Sequence, residues 1–357
     1  MPADLAAALP ASDLADALRK AGVGKIGHRQ RILALLHQRA AATAADALAK
    51  AAAVDSAAQQ QPSPPPSSPR AIPRRLFTFW HADPSAPRAR AAADEELVRC
   101  CLARMRLANP TWEVCVLTTA CDDLPPPPVA VESLTGAQLA DWYRLAALAA
   151  FGGVYLDATC VCLQPVESWV KVSACAVQGF TLVSDLTTME SWAIAAPAAS
   201  AFLAAWRDEF AKALRTGTKA YCASLPAGVI SRGLRSSLPY LTIHAAWCVV
   251  RAAMPDAPFL LHSPVEAGRP YRFLAELNWD SAASVGRLFA KTAEELEATP
   301  LIKLRGKERD SVLALATYGR ASGLARALLG STVPATVTER MAFLRVGLDP
   351  DGKPGQQ

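Results

Sequence analysis

No stretch of 18 or more apolar residues occurs in the 357-residue chain, so it contains no candidate membrane-spanning helix. The N-terminus carries Asp4 and lacks a basic segment followed by an apolar one, so it does not read as a secretory signal. The expected location is the cytoplasm, with the Golgi left open should the N-terminus be incomplete. Charge of one sign is also scarce. The 37 Lys and Arg against 32 Asp and Glu leave a formal net charge of +5, and the basic residues are scattered apart from Arg74-Arg75 and the stretch Lys303 to Arg309. Phosphate-driven nucleic-acid binding needs a denser basic face, so nucleic acid is not an expected partner. No Gly-x-Gly-x-x-Gly follows the first predicted strand, which argues against a dinucleotide oxidoreductase. The nine cysteines are odd in number and lack zinc-type spacing, which fits reduced thiols in a cytosolic setting. Cys160 and Cys162, two apart on a predicted strand, share a face and fit core packing. Cys100 and Cys101 fall in a helical pattern as half-buried thiols. No internal repeat is present.

What the chain does have is apolar material, 52% of its residues, ample for a core although much of it is alanine. Residues 1–40 read as a small helical unit. Ser12 or Asp13 can cap a helix over Leu14, Ala17 and Leu18 that ends near Gly22, and a second helix from about Gly27 carries Ile32, Leu33, Leu35 and Leu36. Residues 41–70 turn alanine-rich, then run through Gln59-Gln60-Gln61-Pro62 into a Pro/Ser tract ending at Pro69. Such a segment buries too little apolar surface to offset its ordering entropy, and reads as a disordered linker with an extended proline half.

From Ile72 the pattern becomes globular. Arg75 to Trp80 predicts the first strand; residues 91–108 predict a helix with Leu97, Cys101, Met105 and Ala108 at helical spacing. Asn109-Pro110 breaks it, and Trp112 to Leu117 predicts a second strand. Leu139 to Ala150 predicts the next helix, stopped by Gly152-Gly153, and Val154 to Leu156 the third strand. This alternation predicts an α/β fold with a mostly parallel sheet.

One segment carries chemistry. Asp141 and Arg144, three apart, share a helix face and read either as a surface ion pair or as ligand contacts. Asp157 ends an apolar strand, where an unpaired buried carboxylate would be costly. It therefore faces a cleft, binds a cation or is held by hydrogen bonds, and a sheet edge of this kind is where α/β proteins hold nucleotides.

Several motifs, in order, resemble the GT-A-fold sugar transferases, especially the capsular-polysaccharide-synthesis type and relatives with a DXD sugar-binding region (glycosyltransferase family 32-like). They are the opening Ile72-Pro73-Arg74-Arg75-Leu76-Phe77-Thr78-Phe79-Trp80, the element Asn109-Pro110-Thr111-Trp112, and the run from Asp141 and Arg144 through Phe151-Gly152-Gly153-Val154-Tyr155-Leu156-Asp157. Weaker parallels are Met189 to Ala196 and the Lys-Leu element in Pro300-Leu301-Ile302-Lys303-Leu304. The resemblance spans roughly residues 72–305. In the first forty residues, the stretch Leu18 to Leu33, with Gly22, Gly24, Gly27 and His28, resembles the end of a sterile alpha motif domain. The implied organisation is a sterile-alpha-motif-like fragment (1–40), a linker (41–70), a Rossmann-like GT-A domain (71–320) and a C-terminal helix and tail (321–357).

The resemblance implies transfer of a sugar from a UDP- or GDP-linked donor to a glycan or other hydroxyl acceptor, with retention. Trp80 would border the base and ribose. Asp141 and Arg144, with Gly153 and Tyr155 beside them, would contact the nucleotide or the donor sugar. Asp157 would reach the donor sugar or a divalent metal, Mn²⁺ or Mg²⁺, bridging the diphosphate. The family's common Asp-x-Asp reads Asp157-Ala158-Thr159 here, and a threonine hydroxyl is a poorer ligand for a hard cation than a carboxylate. His244 reads as a second metal ligand or diphosphate contact, or as a hydrogen-bonded core residue; His81 reads as a cleft or loop residue. Glu190 beside Trp192 suits the acceptor, the acid bonding hydroxyls and the indole stacking on a sugar face, with Asp185 a weaker alternative. Thr159 and the helical N-terminus also allow another class of function: a catalytically inert GT-A-like binding domain with an N-terminal oligomerisation or protein-interaction module.

Overall fold

The computed structural model describes residues 71–81, 87–226, 228–292, 295–296 and 298–316. The expected helical unit over 1–40, the linker over 41–70 and the C-terminal helix and tail over 321–357 lie outside the described residues.

Six strands form the main sheet: β1 (Arg75–Phe79), β2 (Glu113–Leu117), β3 (Gly153–Leu156), β5 (Val177–Leu182), β6 (Asp185–Ala196) and β7 (Phe259–His262). Their order is β2-β1-β3-β6-β5-β7. β1 runs parallel to β2 and β3, and β5 parallel to β7. β6 is antiparallel to both of its neighbours, so it alone runs against the other five. The expected largely parallel α/β sheet is therefore present, with one reversed strand near its centre. β3 is buried at all four positions and β1 at four of five, as strands covered on both faces must be.

Helices cover each face. On one side α1 (Arg88–Ala108) packs Leu97, Cys101 and Met105 against Leu76, Val154 and Leu156. The same cluster takes in a small antiparallel sheet of β4 (Cys160–Cys162) and β8 (Leu301–Lys303). It also includes Val285 and Leu288 of α5 (Ser281–Ala290) and Val312 of α6 (Gly306–Ala316). On the other side α2 (Gly136–Phe151), α3 (Ala201–Thr216) and α4 (Thr242–Ala253) pack over Phe77, Phe79 and Tyr155. Cys100, Cys101, Cys160 and Cys162 are all buried free thiols, so Cys100 and Cys101 are deeper than the half-burial expected of them.

Local sequence sets the helix bounds around the centre. Asn109 ends α1 by donating from Nδ2 to Met105 O at 2.8 Å, and its Oδ1 accepts from the Val166 backbone at 2.8 Å. Helix α2 opens on a capping box in which Thr135 and Gln138 each accept the other's backbone N–H. It closes at Gly152, whose φ of 65° favours glycine. Gly153 follows at φ 102°, and a Cβ there would stand 2.5 Å from Arg75 O on β1. The glycine pair thus lets β3 start close beside β1 in the same sheet. No helix among the described residues is long and apolar enough to cross a membrane.

Candidate functional site

Asp157 is the first residue beyond β3 and Trp80 the first beyond β1, two parallel strands with Phe77 opposite Tyr155. Both residues therefore leave the sheet at the carboxyl ends of its strands, where open α/β sheets bind ligands. Helix α2 lies over this edge and supplies Asp141 and Arg144. Their side chains are only 15% and 5% exposed, so this pair is a buried element, not a surface one.

Arg144 is the hub. Its guanidinium donates to Ser191 Oγ at 2.6 Å, to Asp157 Oδ1 at 3.0 Å and to Ala140 O at 3.2 Å, and stands 3.2 Å from Asp141 Oδ1. It lies 4.8 Å over the Tyr155 ring, while the Tyr155 hydroxyl donates to Asp157 Oδ1 at 3.2 Å. A planar guanidinium with five N–H donors is the side chain suited to binding several oxygens at fixed angles.

The other Asp157 oxygen belongs to Lys303. Strand β4 pairs antiparallel with β8, with Cys160 opposite Lys303, and this brings a lysine 146 positions away to the β3 edge. Lys303 Nζ donates to Asp157 Oδ2 at 2.8 Å and to Thr159 Oγ1 at 3.0 Å, and Thr159 Oγ1 donates to Leu304 O at 2.8 Å. Burial works to raise the Asp157 pKa, but the Lys303 and Arg144 charges and the hydrogen bonds from Lys303 and Tyr155 outweigh it and hold it below the ordinary carboxylate value. Asp141 goes the other way. Burial dominates, Arg144 and His244 only partly oppose it, and its carboxyl is pushed up to about 6. Two carboxylates on one arginine thus have separated acidities, which is common at functional sites.

Glu190 and Ser191 reach the site through an irregularity in β6. Between the pairs Gly179–Ile194 and Thr181–Met189, β5 advances two residues while β6 advances five. Such a bulge re-aims side chains and recurs beside active sites. Gly179 makes room for it, since a Cβ there would meet Met189 Cε at 2.5 Å and Ala193 O at 2.6 Å. Ser191 consequently meets Arg144, and Glu190 Oε2 lies 3.6 Å from His244 Nε2.

The expected site residues fall into distinct places. Asp141, Arg144, Tyr155 and Asp157 come together; Tyr155 is fully buried with its hydroxyl spent on Asp157, so it acts through that carboxylate. Gly153 does not join them. It sits at the other end of β3, roughly 13 Å away at about 3.3 Å per residue, and its part is conformational. Trp192 is not a sugar platform: its ring is stacked on Phe180 at 5.2 Å and flanked by Tyr271, inside the core. Asp185 is held by Thr187 and Thr188 at the start of β6. His81 is exposed beside Phe79. His244 lies on α4, 3% exposed, as a core residue would, but neither ring nitrogen has a hydrogen-bond partner, so it is buried without being the hydrogen-bonded core residue of its second reading. Trp80 Nε1 is likewise buried without a partner. Orphaned polar atoms of this kind cost about 1–3 kcal/mol each unless a ligand or water satisfies them.

The residues expected to hold a divalent metal do not fit one. Asp157 already faces Arg144 and Tyr155 through one oxygen and Lys303 through the other, Thr159 spends its hydroxyl on Leu304 and Lys303, and His244 stands with Glu190. A hard dication seeks about six oxygen ligands. Among the described residues no group of three or more His, Cys, Asp or Glu is placed to hold a metal. Two residues of the site, Lys303 and Ser191, had no expected role. Lys303 had a signal in the Lys-Leu element; Ser191 had none apart from its place beside Glu190.

Residues 92–219 match the sequence model of a family described as capsular polysaccharide synthesis protein, a stretch that contains Asp141, Arg144, Asp157, Glu190 and Ser191. No curated protein matches the chain. Among solved structures, one described as PaToxG glycosyltransferase is similar at 13% identity and a TM-score of 0.35, covering 69% of this chain and 88% of that one.

Proposed function

We propose that this chain is a glycosyltransferase with a GT-A-like fold, moving a sugar from a UDP- or GDP-linked donor to a hydroxyl of a glycan or other acceptor, with retention. The observation that supports it most is the buried assembly at the β3 edge, in which Arg144 gathers Asp141, Asp157 and Ser191 inside the stretch that matches the capsular polysaccharide synthesis family.

The proposed roles follow from exposure and charge. Asp157, at 24% side-chain exposure, is the most open of the gathered carboxylates and would meet the donor sugar's hydroxyls. Asp141 and Arg144 would position it, and Trp80, with its unpartnered indole N–H, would border the base. In the transfer, the bond from the anomeric carbon to the diphosphate oxygen breaks and its electron pair stays on that oxygen. The acceptor oxygen bonds to the carbon, and its proton passes to a carboxylate, for which Glu190 is the candidate. Fixed cationic donors facing the leaving oxygens are the largest contribution such a site can make.

Isothermal titration with UDP, GDP and their hexose conjugates tests the reading. Saturable binding of one nucleotide family, weakened in Asp157→Asn, is expected; no binding of any of them would reject it. Binding without turnover of any conjugate would identify the inert binding domain, the reading that Thr159 favours.

A further inference from the structure

Resting on that reading, we propose that the Lys303 ammonium stands in the place of a divalent cation, so that the nucleoside diphosphate is held and released without metal. Lys303 Nζ is bracketed by the two side chains at which a metal was expected, 2.8 Å from Asp157 Oδ2 and 3.0 Å from Thr159 Oγ1. Thr159 is oriented for this. Its hydroxyl proton goes to Leu304 O, so the oxygen presents a lone pair to the ammonium. An aspartate at position 159 would turn a carboxylate toward the same point, which suits a dication. The neutral hydroxyl suits a monocation.

Lys303 is 6% exposed, and an ammonium has three N–H donors. Two are taken by Asp157 and Thr159; the third is available to an oxygen of the ligand. In the chain that follows, Arg305 is paired with Glu308 and lies 5.0 Å over Trp279, and Arg309 lies 5.9 Å over Trp80 with Asp94 Oδ1 3.8 Å from its guanidinium. The short basic stretch Lys303 to Arg309 therefore links the Asp157 end of the site to Trp80, a path a nucleoside diphosphate would follow with its base at Trp80. When the bond from sugar to diphosphate breaks, the electron pair and its charge settle on the diphosphate oxygen. The Lys303 N–H donates a hydrogen bond there and keeps its proton, so no metal or added co-reactant is needed for charge or atoms to balance.

Mn²⁺ titration followed by electron paramagnetic resonance tests the cation site directly, and calorimetry with UDP, GDP, UMP and GMP, with and without EDTA, tests the diphosphate contact. The wild-type chain should take up no Mn²⁺ that Asp157→Asn removes, and its UDP or GDP affinity should be unchanged by EDTA. Lys303→Met should weaken the diphosphate about tenfold to a hundredfold, the worth of one charge-assisted hydrogen bond, and leave the monophosphate nearly unaffected. Lys303→Met combined with Thr159→Asp should acquire Mn²⁺ binding. One Mn²⁺ per wild-type chain, lost in Asp157→Asn, would overturn the proposal. So would EDTA-sensitive diphosphate binding, or equal losses for mono- and diphosphate in Lys303→Met. Should the methionine variants fail to fold, the wild-type Mn²⁺ and EDTA measurements decide alone. If no nucleotide binds the wild-type chain, the transferase reading fails, while the Mn²⁺ result still decides whether the lysine excludes a metal.

Discussion

Asp141 offers a pH experiment whose sign follows from its burial. Its carboxyl titrates at about 6 in the folded chain, against about 3.9 in an unfolded one. The folded state therefore holds a proton between those values that the unfolded state has given up, so this group's contribution falls as pH rises from about 4 to about 6. A shift of about two units at about 1.4 kcal/mol each is about 3 kcal/mol. The side chain is only 15% exposed, so solvent screening removes little of it. Asp141→Asn fixes the neutral form. Other groups titrate too, and those that do not touch Asp141 cancel in the difference. Asp157, whose charge helps raise the Asp141 carboxyl, is held below the ordinary carboxylate value and so stays ionised in both folded proteins over most of the range. Urea midpoints measured at half-unit steps from pH 4 to pH 7.5 should show the variant gaining on wild type by about 3 kcal/mol across the range, most steeply between pH 4 and 6. Any constant cost of the amide shifts the whole curve and leaves its slope. A difference that stays flat, or runs the other way, would mean that the Arg144 ion pair outweighs burial at Asp141, and the account of separated acidities would be wrong.

Arg144→Met should destabilise the chain by about 3–5 kcal/mol, because the Asp141 carboxylate loses its cation in a largely buried place and Asp157 keeps only Lys303; a loss under about 1 kcal/mol by urea unfolding would show that these side chains do not act as a unit. Gly153→Ala should lower stability through its left-handed φ and the contact with Arg75 O, costing about 1–3 kcal/mol from backbone strain alone. The folded fraction of that variant should keep wild-type nucleotide affinity in calorimetry, and a specific loss of affinity would return Gly153 to the binding site.

Much of the sheet's first half is legible in the sequence because its signals are local. The apolar run Arg75 to Trp80, the Asn109-Pro110 break and the Gly152-Gly153 stop each act within a few residues, and β1, α1, β2, α2 and β3 stand within a few positions of the expected bounds. Asp157 was legible as well, as an acid at the end of a buried strand. The rest of the site depends on long-range pairing. Lys303 reaches Asp157 only because β8 pairs with β4, and no periodicity records a contact across 146 residues. The β6 bulge hides its effect in the same way. Strict alternation cannot tell that Ser191 turns to Arg144 while Trp192 turns into the core, since the register slips between Gly179 and Thr181. Gly153 misled for a simpler reason: a glycine beside a candidate ligand site looks like a ligand contact until its φ and its neighbour Arg75 are known.

If the acid at the end of β3 serves sugar transfer, donor turnover depends on it. A panel of UDP- and GDP-sugars is incubated with wild-type protein and with Asp157→Asn, the fold of the variant being checked by circular dichroism, and nucleotide release is measured. The wild-type chain should release nucleotide from at least one donor, and the folded variant none above background. Equal release by both proteins, or none by the wild type with any donor, would contradict it.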